Sequence, residues 1–265
     1  MLLCKLYKYG LRGVAYDWIK SFLINRQQYV FIKRPNGTIA TSNCSTSSFG
    51  IPQGTVVGTC LYLIYVNSII FNNDEEIKTL MFADDTTVLV SCNTTFNTEI
   101  KTNTILNSLL QSFSQHNLYI NKQKTNIIHF TTKNSKQPHL PAVFLADSIL
   151  PHTSTTKFLG LLINENLSWN DHVKYLKSKL NSSLFILRRI IHNCDQNTAF
   201  SVYHGLIISL MSYGISLWGA SSTNNLKDVL VIQKRALRYI LSLNKKQSCR
   251  PYFKQHNLLT HLDTS

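Results

Sequence analysis

Two adjacent carboxylates make the first case for chemistry. Asp84 and Asp85 stand together in Met81-Phe82-Ala83-Asp84-Asp85-Thr86-Thr87-Val88-Leu89-Val90, between two apolar runs. Strands on both sides would hold the pair at a hairpin turn, where two anionic oxygen donors can bind a hard divalent cation such as Mg²⁺. Asp is also an ordinary turn residue, so the pair taken alone has a plain reading as turn chemistry. Upstream lies Ser48-Phe49-Gly50-Ile51-Pro52-Gln53-Gly54-Thr55-Val56-Val57-Gly58. Pro52 and Gly54 favour a tight turn, and Gln53 carries an amide that donates and accepts at once, as recognition of a base or sugar requires. Thr55 is suited to cap a following helix.

The elements that must position these residues are legible in the hydropathy pattern. Leu3, Leu6, Leu11, Val14, Trp18, Ile19 and Phe22 fall near helical spacing, interrupted at Gly10 and Gly13, which predicts a helix, a turn and a second helix over residues 2–25. Residues 29–33 and 38–42 are β-rich and flank Pro35-Asn36-Gly37, a hairpin pattern. The apolar run to Ile70 predicts a helix buried on more than one face. Residues 77–82 and 86–90 predict two strands joined through Ala83-Asp84-Asp85. An amphipathic helix over 97–116, a short strand over 125–130, a polar Pro-containing loop over 134–141 and strands over 142–147 and 158–163 follow. From Asn170 onward the pattern is helical, with Val173, Leu176, Leu180, Leu184, Leu187 and Ile191 three or four residues apart. Two more helices are expected over 198–217 and 225–243.

Composition bounds the function. The 265 residues are 44% hydrophobic and 15% charged, which is a folding composition of one large domain or two small ones. A net charge of +14 favours polyanionic partners. Residues 1–170 hold 14 Lys+Arg against 9 Asp+Glu, and residues 171–265 hold 13 against 4, so the helical part is the basic one. Lys174, Lys177, Lys179, Arg188 and Arg189 are candidates for phosphate contact or simply a solvated helix face. The apolar runs 60–71 and 206–220 are interrupted by polar residues and fall short of the ~20 residues of a membrane span. Lys5 and Lys8 interrupt any signal-peptide core, and six cysteines without Cys-x-x-Cys spacing read as reduced thiols; an intracellular, non-secreted protein is expected. Trp18, Trp169 and Trp218 sit in apolar patterns and are expected in the core.

A Pro-Gln-Gly turn, an apolar helix and an Ala-Asp-Asp hairpin in this order give the sequence a family likeness. It resembles the reverse transcriptase of non-LTR, LINE-type, jockey-like retrotransposons along essentially the whole chain. Residues 2–30 resemble the segment after the first catalytic carboxylate. Residues 49–67 (FGIPQGTVVGTCLYLIYVN) resemble the motif that lies against template and incoming nucleotide, and 82–85 (FADD) the metal-binding hairpin of the palm. Residues 121–130 (NKQKTNIIHF) resemble the lysine-bearing element, and 158–173 (FLGLLINENLSWNDHV) the primer grip leading into the thumb. Residues 203–219 and 233–240 are similar to the helices beyond it.

The resemblance implies an α+β right-hand polymerase fragment. It implies a partial palm, sheet with helices, over residues 1–150, a primer-grip hairpin and helical thumb with a C-terminal extension over 151–265, and absent fingers. It implies an RNA-directed DNA polymerase acting on an RNA template, a DNA primer and dNTPs, with Mg²⁺ as cofactor and Mn²⁺ as the alternative. Asp84 is then the metal ligand and Asp85 its supporting neighbour. Lys124 lies near the triphosphate as a proton donor, with a solvated lysine at a strand end as its plain alternative; Pro52, Gln53 and Gly54 meet nucleotide or template; and Leu159 and Gly160 admit the primer backbone, with a strand bend as the plain alternative for Gly160. In the family the first metal-ligating Asp lies just upstream of the stretch matching residues 2–6, which puts it before Met1. Asp17, in a helical segment at a variable position of the family pattern, is no substitute. The expectation is a chain that does not polymerise alone, and a second class stays open: a catalytically silent nucleic-acid-binding protein that retains the basic thumb. Thr55, Thr59-Cys60, Ser68, Ser112 and His116 depart from the residues usual at their matched positions.

Overall fold

The computed structural model of the chain describes residues 1–47, 50–67, 69, 75–130, 140–244, 246–256 and 258. The chain divides into two compact units, one of residues 1–120 and 143–148, the other of 121–142 and 149–265. Residues 121–142 thus belong with the helical part of the chain rather than with the segment that precedes them.

In the first unit, α1 (Leu2–Lys8) and α2 (Gly13–Leu23) form the expected helix pair, separated by a turn at Gly10, whose φ of 93° suits glycine. The predicted hairpin is β2 (Phe31–Lys33) with β3 (Ile39–Thr41), turning at Gly37. It is flanked by a pairing the hydropathy did not signal, β1 (Arg26–Gln28) with β4 (Ser45–Ser47), because both segments are polar. Then come α3 (Val56–Val66), β5 (Ile77–Phe82), β6 (Asp85–Val90) and α4 (Thr95–Gln115). The unit closes with a two-residue pair, β7 (Phe144–Leu145) and β8 (Ser148–Ile149), whose second strand reaches past the unit boundary. Ile105, Leu109 and Phe113, one helical turn apart on α4, bury against Val66 and Ile69, with Tyr62, Met81 and Val88 packed around them.

The second unit begins with a single-turn helix, Lys122–Lys124, and continues through the β9 (Thr155–Phe158) and β10 (Leu161–Asn164) hairpin into α5 (Asn170–Ile190). After α5 come α6 (Gln196–Tyr203), a π-helical segment at His204–Ile208, α7 (Ser209–Ser212), α8 (Ile215–Trp218), α9 (Thr223–Ile240) and α10 (Arg250–Gln255). Val173, Leu176, Leu180, Leu184 and Leu187 of α5 face Val229, Ile232, Ala236 and Leu237 of α9 in one buried cluster that also takes Tyr203, Ile207 and Trp218. The α5 spacing is therefore a core stripe, as the sequence predicts.

Several expectations are corrected. The strand expected over 158–163 is a hairpin corner: Leu159 and Gly160 have φ of 44° and 88°, the positive pair of a type I′ turn, and Phe158 pairs with Leu161. The apolar run Phe158-Leu159-Gly160-Leu161-Leu162-Ile163 hid it because only Gly160 carries a turn signature. Residues 125–130 make one parallel bridge, Ile127 to His152, instead of a strand. The run 142–147 is interrupted at Ala146, with φ of 54°. The helix expected over 198–217 contains the π segment and breaks at Tyr213–Gly214, where Gly214 has φ of 64°. α3 is not buried on more than one face, since Val56 is 84% exposed and Leu63 49%. Trp218 is fully buried and Trp169 partly so, but Trp18 is 57% exposed and stacks on Phe22. Among the described residues the strands form five separate two-stranded sheets, where the resemblance implies one larger sheet. Six of the loop residues expected over 134–141 lie outside the described residues.

Candidate active site at a carboxylate hairpin

The β5–β6 register puts Ile77, Thr79 and Met81 opposite Val90, Val88 and Thr86 on the inner face, and Lys78, Leu80 and Phe82 opposite Leu89, Thr87 and Asp85 on the outer one. Ile77, Met81, Val88 and Val90 pack on the buried cluster, which fixes the hairpin rigidly from one side. The loop is shorter than the Ala83-Asp84-Asp85 expected from sequence. Asp85 is the first residue of β6, paired with Phe82, and only Ala83 and Asp84 turn. Ala83 takes φ of 52°, and such a value is sparse for a residue with a Cβ. Both carboxylates are exposed.

Tyr62 of α3 packs on the same buried cluster as Met81 and Val88 of the hairpin, and the charge of Asp84 is felt at its phenol. Burial, and after it the Asp84 carboxylate, raise the pKa of the Tyr62 phenol above its ordinary range. Six residues before Tyr62 the helix begins at Val56, about 9 Å away along the axis. The turn Pro52-Gln53-Gly54 precedes that start, with Gln53 and Gly54 exposed and Gly54 at φ of 78°. Thr55 closes the turn onto the helix. Its Oγ1 accepts from Gly58 N at 3.0 Å and donates to Pro52 O at 3.0 Å. A Cβ on Gly58 would lie 2.6 Å from Pro52 O and 2.7 Å from Thr55 Oγ1, so only glycine permits this packing. Sequence reasoning missed Gly58 as a positioning residue; a glycine in the first turn of an apolar helix was the available signal. Arg26 holds the approach to the turn, donating to Ser47 Oγ at 2.8 Å and Gly50 O at 3.4 Å.

The other end of α3 is anchored too. Lys5 Nζ donates to Tyr65 O at 2.8 Å in the last helical turn, and lies 4.3 Å from the Tyr65 ring centroid. Tyr65 Oη donates to His116 O at 2.6 Å, at the end of α4. Burial lowers the Lys5 pKa and raises that of Tyr65. The helix that carries the Gln53 turn at one end and Tyr62 along its body is thus fixed to α1 and α4.

Pro52, Gln53, Gly54, Asp84 and Asp85 all belong to the first unit. Lys124, Leu159 and Gly160 belong to the second. Lys124 is exposed at the end of a single helical turn whose amide groups at Gln123 and Lys124 donate to Asn121 Oδ1. Leu159 and Gly160 form the β9–β10 corner, where a Cβ on Gly160 would sit 3.1 Å from Tyr213 Cε1. The bare face of this glycine is therefore filled by Tyr213.

The donor set at the hairpin suits a hard cation, being two exposed carboxylates with oxygen ligands only. Among the described residues the ion pairs involve Glu76, Asp171 and Asp228, so no described pair neutralises Asp84 or Asp85. Among the same residues no group of three or more His, Cys, Asp or Glu side chains is placed to hold a metal. Asp84 and Asp85 would offer a hard divalent cation such as Mg²⁺ their carboxylate oxygens.

The model of the reverse transcriptase (RNA-dependent DNA polymerase) family matches residues 2–163, from α1 into β10. The chain belongs to the reverse transcriptase family. It is 21% identical over 231 residues to the RNA-directed DNA polymerase from mobile element jockey of Drosophila melanogaster, covering 84% of this chain and 24% of that protein. The probable RNA-directed DNA polymerase from transposon BS of the same fly is 26% identical over 234 residues, 85% of this chain and 25% of its own length. A Pol polyprotein from a type-1 retrotransposable element R1 of Bradysia coprophila is 23% identical over 200 residues, 74% of this chain and 20% of its own. The chain spans about a quarter of the length of the curated relatives it matches. The likeness to jockey-like non-LTR retrotransposon enzymes expected from sequence is borne out. This reverse transcriptase chain carries its carboxylate hairpin, Pro-Gln-Gly turn and β9–β10 corner inside the matched span, and α5 to α10 beyond it. Among the described residues no helix is long and apolar enough to cross a membrane.

Proposed function

We propose that the chain supplies the metal-binding hairpin and the nucleic-acid-holding helices of the RNA-directed DNA polymerase of a non-LTR retrotransposon. RNA template, DNA primer and dNTPs are its substrates. The observation that carries this reading is the exposed Asp84–Asp85 pair at the turn of a hairpin that packs on the same buried cluster as the helix begun by the Gln53 turn. Asp84 is the metal ligand, and Asp85 shares the cation or orders its water. Bound Mg²⁺ would supply charge stabilisation at the phosphoryl oxygens. Gln53 orients the incoming nucleotide or its template partner through its amide. Lys124 stands near the triphosphate as a proton donor. Leu159 and Gly160 contact the primer backbone.

In this reading residues 1–150 act as part of a palm and 151–265 as primer grip and thumb. Two adjacent carboxylates cannot enclose two ions that must clamp both attacking and leaving oxygens, so extension requires a further carboxylate beyond this hairpin. Mn²⁺ added with a dNTP is expected to broaden the amide resonances of residues 83–85, and Asp84→Asn to abolish the effect; unbroadened resonances in the parent chain would overturn the metal assignment. The chain alone is expected to bind a recessed RNA–DNA primer-template and leave it unextended in Mg²⁺. Incorporation that disappears in Asp84→Ala would refute the requirement for a further carboxylate.

The alternative of a catalytically silent nucleic-acid binder is favoured by one observation. The second unit holds 18 Lys+Arg against 5 Asp+Glu, so the capacity to hold a polyanion does not depend on the carboxylate hairpin. Salt-sensitive binding without Mn²⁺ broadening at residues 83–85 would select this alternative.

A further inference from the structure

The β9–β10 corner is held from outside its own hairpin. Tyr213 lies in the extended break between α7 and α8, and its Oη donates to the carbonyl of Leu159. The same ring lies against the Cα of Gly160. Trp218, fully buried, donates from Nε1 to Tyr213 O at 2.9 Å and so fixes the residue that fixes the corner. Across the hairpin, the buried His172 Nδ1 accepts from Leu162 N at 3.3 Å.

A two-residue turn that begins with positive φ has two alternatives, types I′ and II′, which differ by a flip of the central peptide. Here the central peptide joins Leu159 to Gly160, and positive φ at both residues selects I′. The Tyr213 hydroxyl binds the carbonyl of that very peptide, so a flip would break the bond and carry the oxygen away. The peptide is planar and trans, and its N–H therefore points opposite its carbonyl. With Leu159 O turned toward Tyr213, the Gly160 N–H is directed to the side facing away from Tyr213. A fixed backbone N–H at a protruding corner is a donor suited to a phosphate oxygen.

We propose that Tyr213 is a positioning residue for the primer strand: by holding the Leu159–Gly160 peptide in one orientation, it aims the Gly160 N–H at a phosphate of that strand. This deepens the reading of Leu159 and Gly160 as primer contacts and rests on it. The hydroxyl touches no substrate, and its effect passes entirely through the corner.

The test is a scan of neutral methylphosphonate linkages along the primer strand of an RNA–DNA primer-template, with binding by the whole chain measured for wild type and Tyr213→Phe. Loss of a charge-assisted hydrogen bond weakens binding by roughly tenfold. One linkage near the primer 3′ end is expected to show that penalty in wild type and to show almost none in Tyr213→Phe, while the remaining linkages respond alike. Equal penalties in both proteins at every linkage would overturn the role of Tyr213 and leave the primer reading standing. A wild-type scan without any sensitive linkage near the 3′ end would overturn the primer reading itself, and the proposal with it. Thermal melting reports whether Tyr213→Phe is folded. Leu180→Ala, in the same core but outside the hydrogen bonds that hold the corner, serves as a destabilised control that keeps the hydroxyl. It should retain the sensitive linkage, and its loss there would assign the effect to packing and overturn the proposal.

Discussion

The two units differ in charge and in the size of their interiors. The first holds 9 Lys+Arg against 8 Asp+Glu and carries the carboxylate hairpin, whereas the second holds 18 against 5 and carries the paired helices α5 and α9. Their interiors differ as well. Among the described residues the first unit's main buried cluster has five members and the second unit's has nineteen. The first unit leaves Val14, Trp18, Val56 and Phe82 largely exposed. Under the proposed function, holding a polyanion calls for positive charge on a well-packed frame, and the second unit has the larger positive excess and the larger buried cluster. Under the same proposal, a cation and a nucleotide call for a few exposed oxygens and amides, and the first unit exposes Asp84, Asp85 and Gln53.

The largest expected effect breaks this comparison through charge. If the second unit carries the binding, primer-template affinity should fall by about 10³-fold between 50 and 200 mM salt, as for a protein neutralising several phosphates. Replacing Lys174 and Arg189, both exposed on α5, by Glu should weaken binding and flatten that slope. The same reversal at the exposed Lys20 and Lys33 of the first unit should leave the slope nearly unchanged, and equal losses from the two pairs would end the assignment. Next comes packing. Leu180→Ala in the second unit and Leu109→Ala in the first each remove a side chain buried to 3% exposure or less, at a cost of about 2–5 kcal/mol. Each should lower one thermal transition and spare the other, as followed by calorimetry.

A smaller effect belongs to Gly58. Alanine there must displace Pro52 O or Thr55 Oγ1, at about 1–3 kcal/mol for an overpacked contact. The first unit's transition should fall, and nucleotide-dependent changes at Gln53 should be lost, with salt-dependent binding unaffected. The smallest is a pH dependence. Burial lowers the His172 pKa below its ordinary 6.5, so the unfolded chain takes up the proton more readily than the folded one. The contribution of neutral His172 to stability is full above pH 6.5 and declines as pH falls below it toward the lowered folded value. Urea midpoints of the second unit should drop over that window, and His172→Phe should remove the drop.

Periodic elements were legible because burial imposes their period. Ile105, Leu109 and Phe113, or Leu176, Leu180 and Leu184, announce a helix face whatever they pack against. The Asp84–Asp85 hairpin was legible for a related reason, since apolar strands bracket a polar turn. Contacts between distant residues were not. Nothing in the local pattern at Phe158–Ile163 signals that Tyr213, more than fifty residues later, fixes a corner there. The β1–β4 pairing is polar on both strands and has no hydropathy to read. The break at Tyr213–Gly214 falls in a largely apolar run, where composition favours helix and one glycine decides otherwise. Gly58 was visible as a residue but not as a constraint, because what it avoids is the oxygen of a turn six residues back.

Trp18, Trp169 and Trp218 divide between the units, the first in α2 and the other two beside or within the buried cluster of the second. Their light emission should divide as well. Trp18, open to water, should emit to the red and be quenched by iodide, while Trp218 should emit to the blue and resist it. In a Trp18→Phe chain all indole fluorescence then arises from the second unit. Titration with duplex or denaturant could follow that unit without any attached dye.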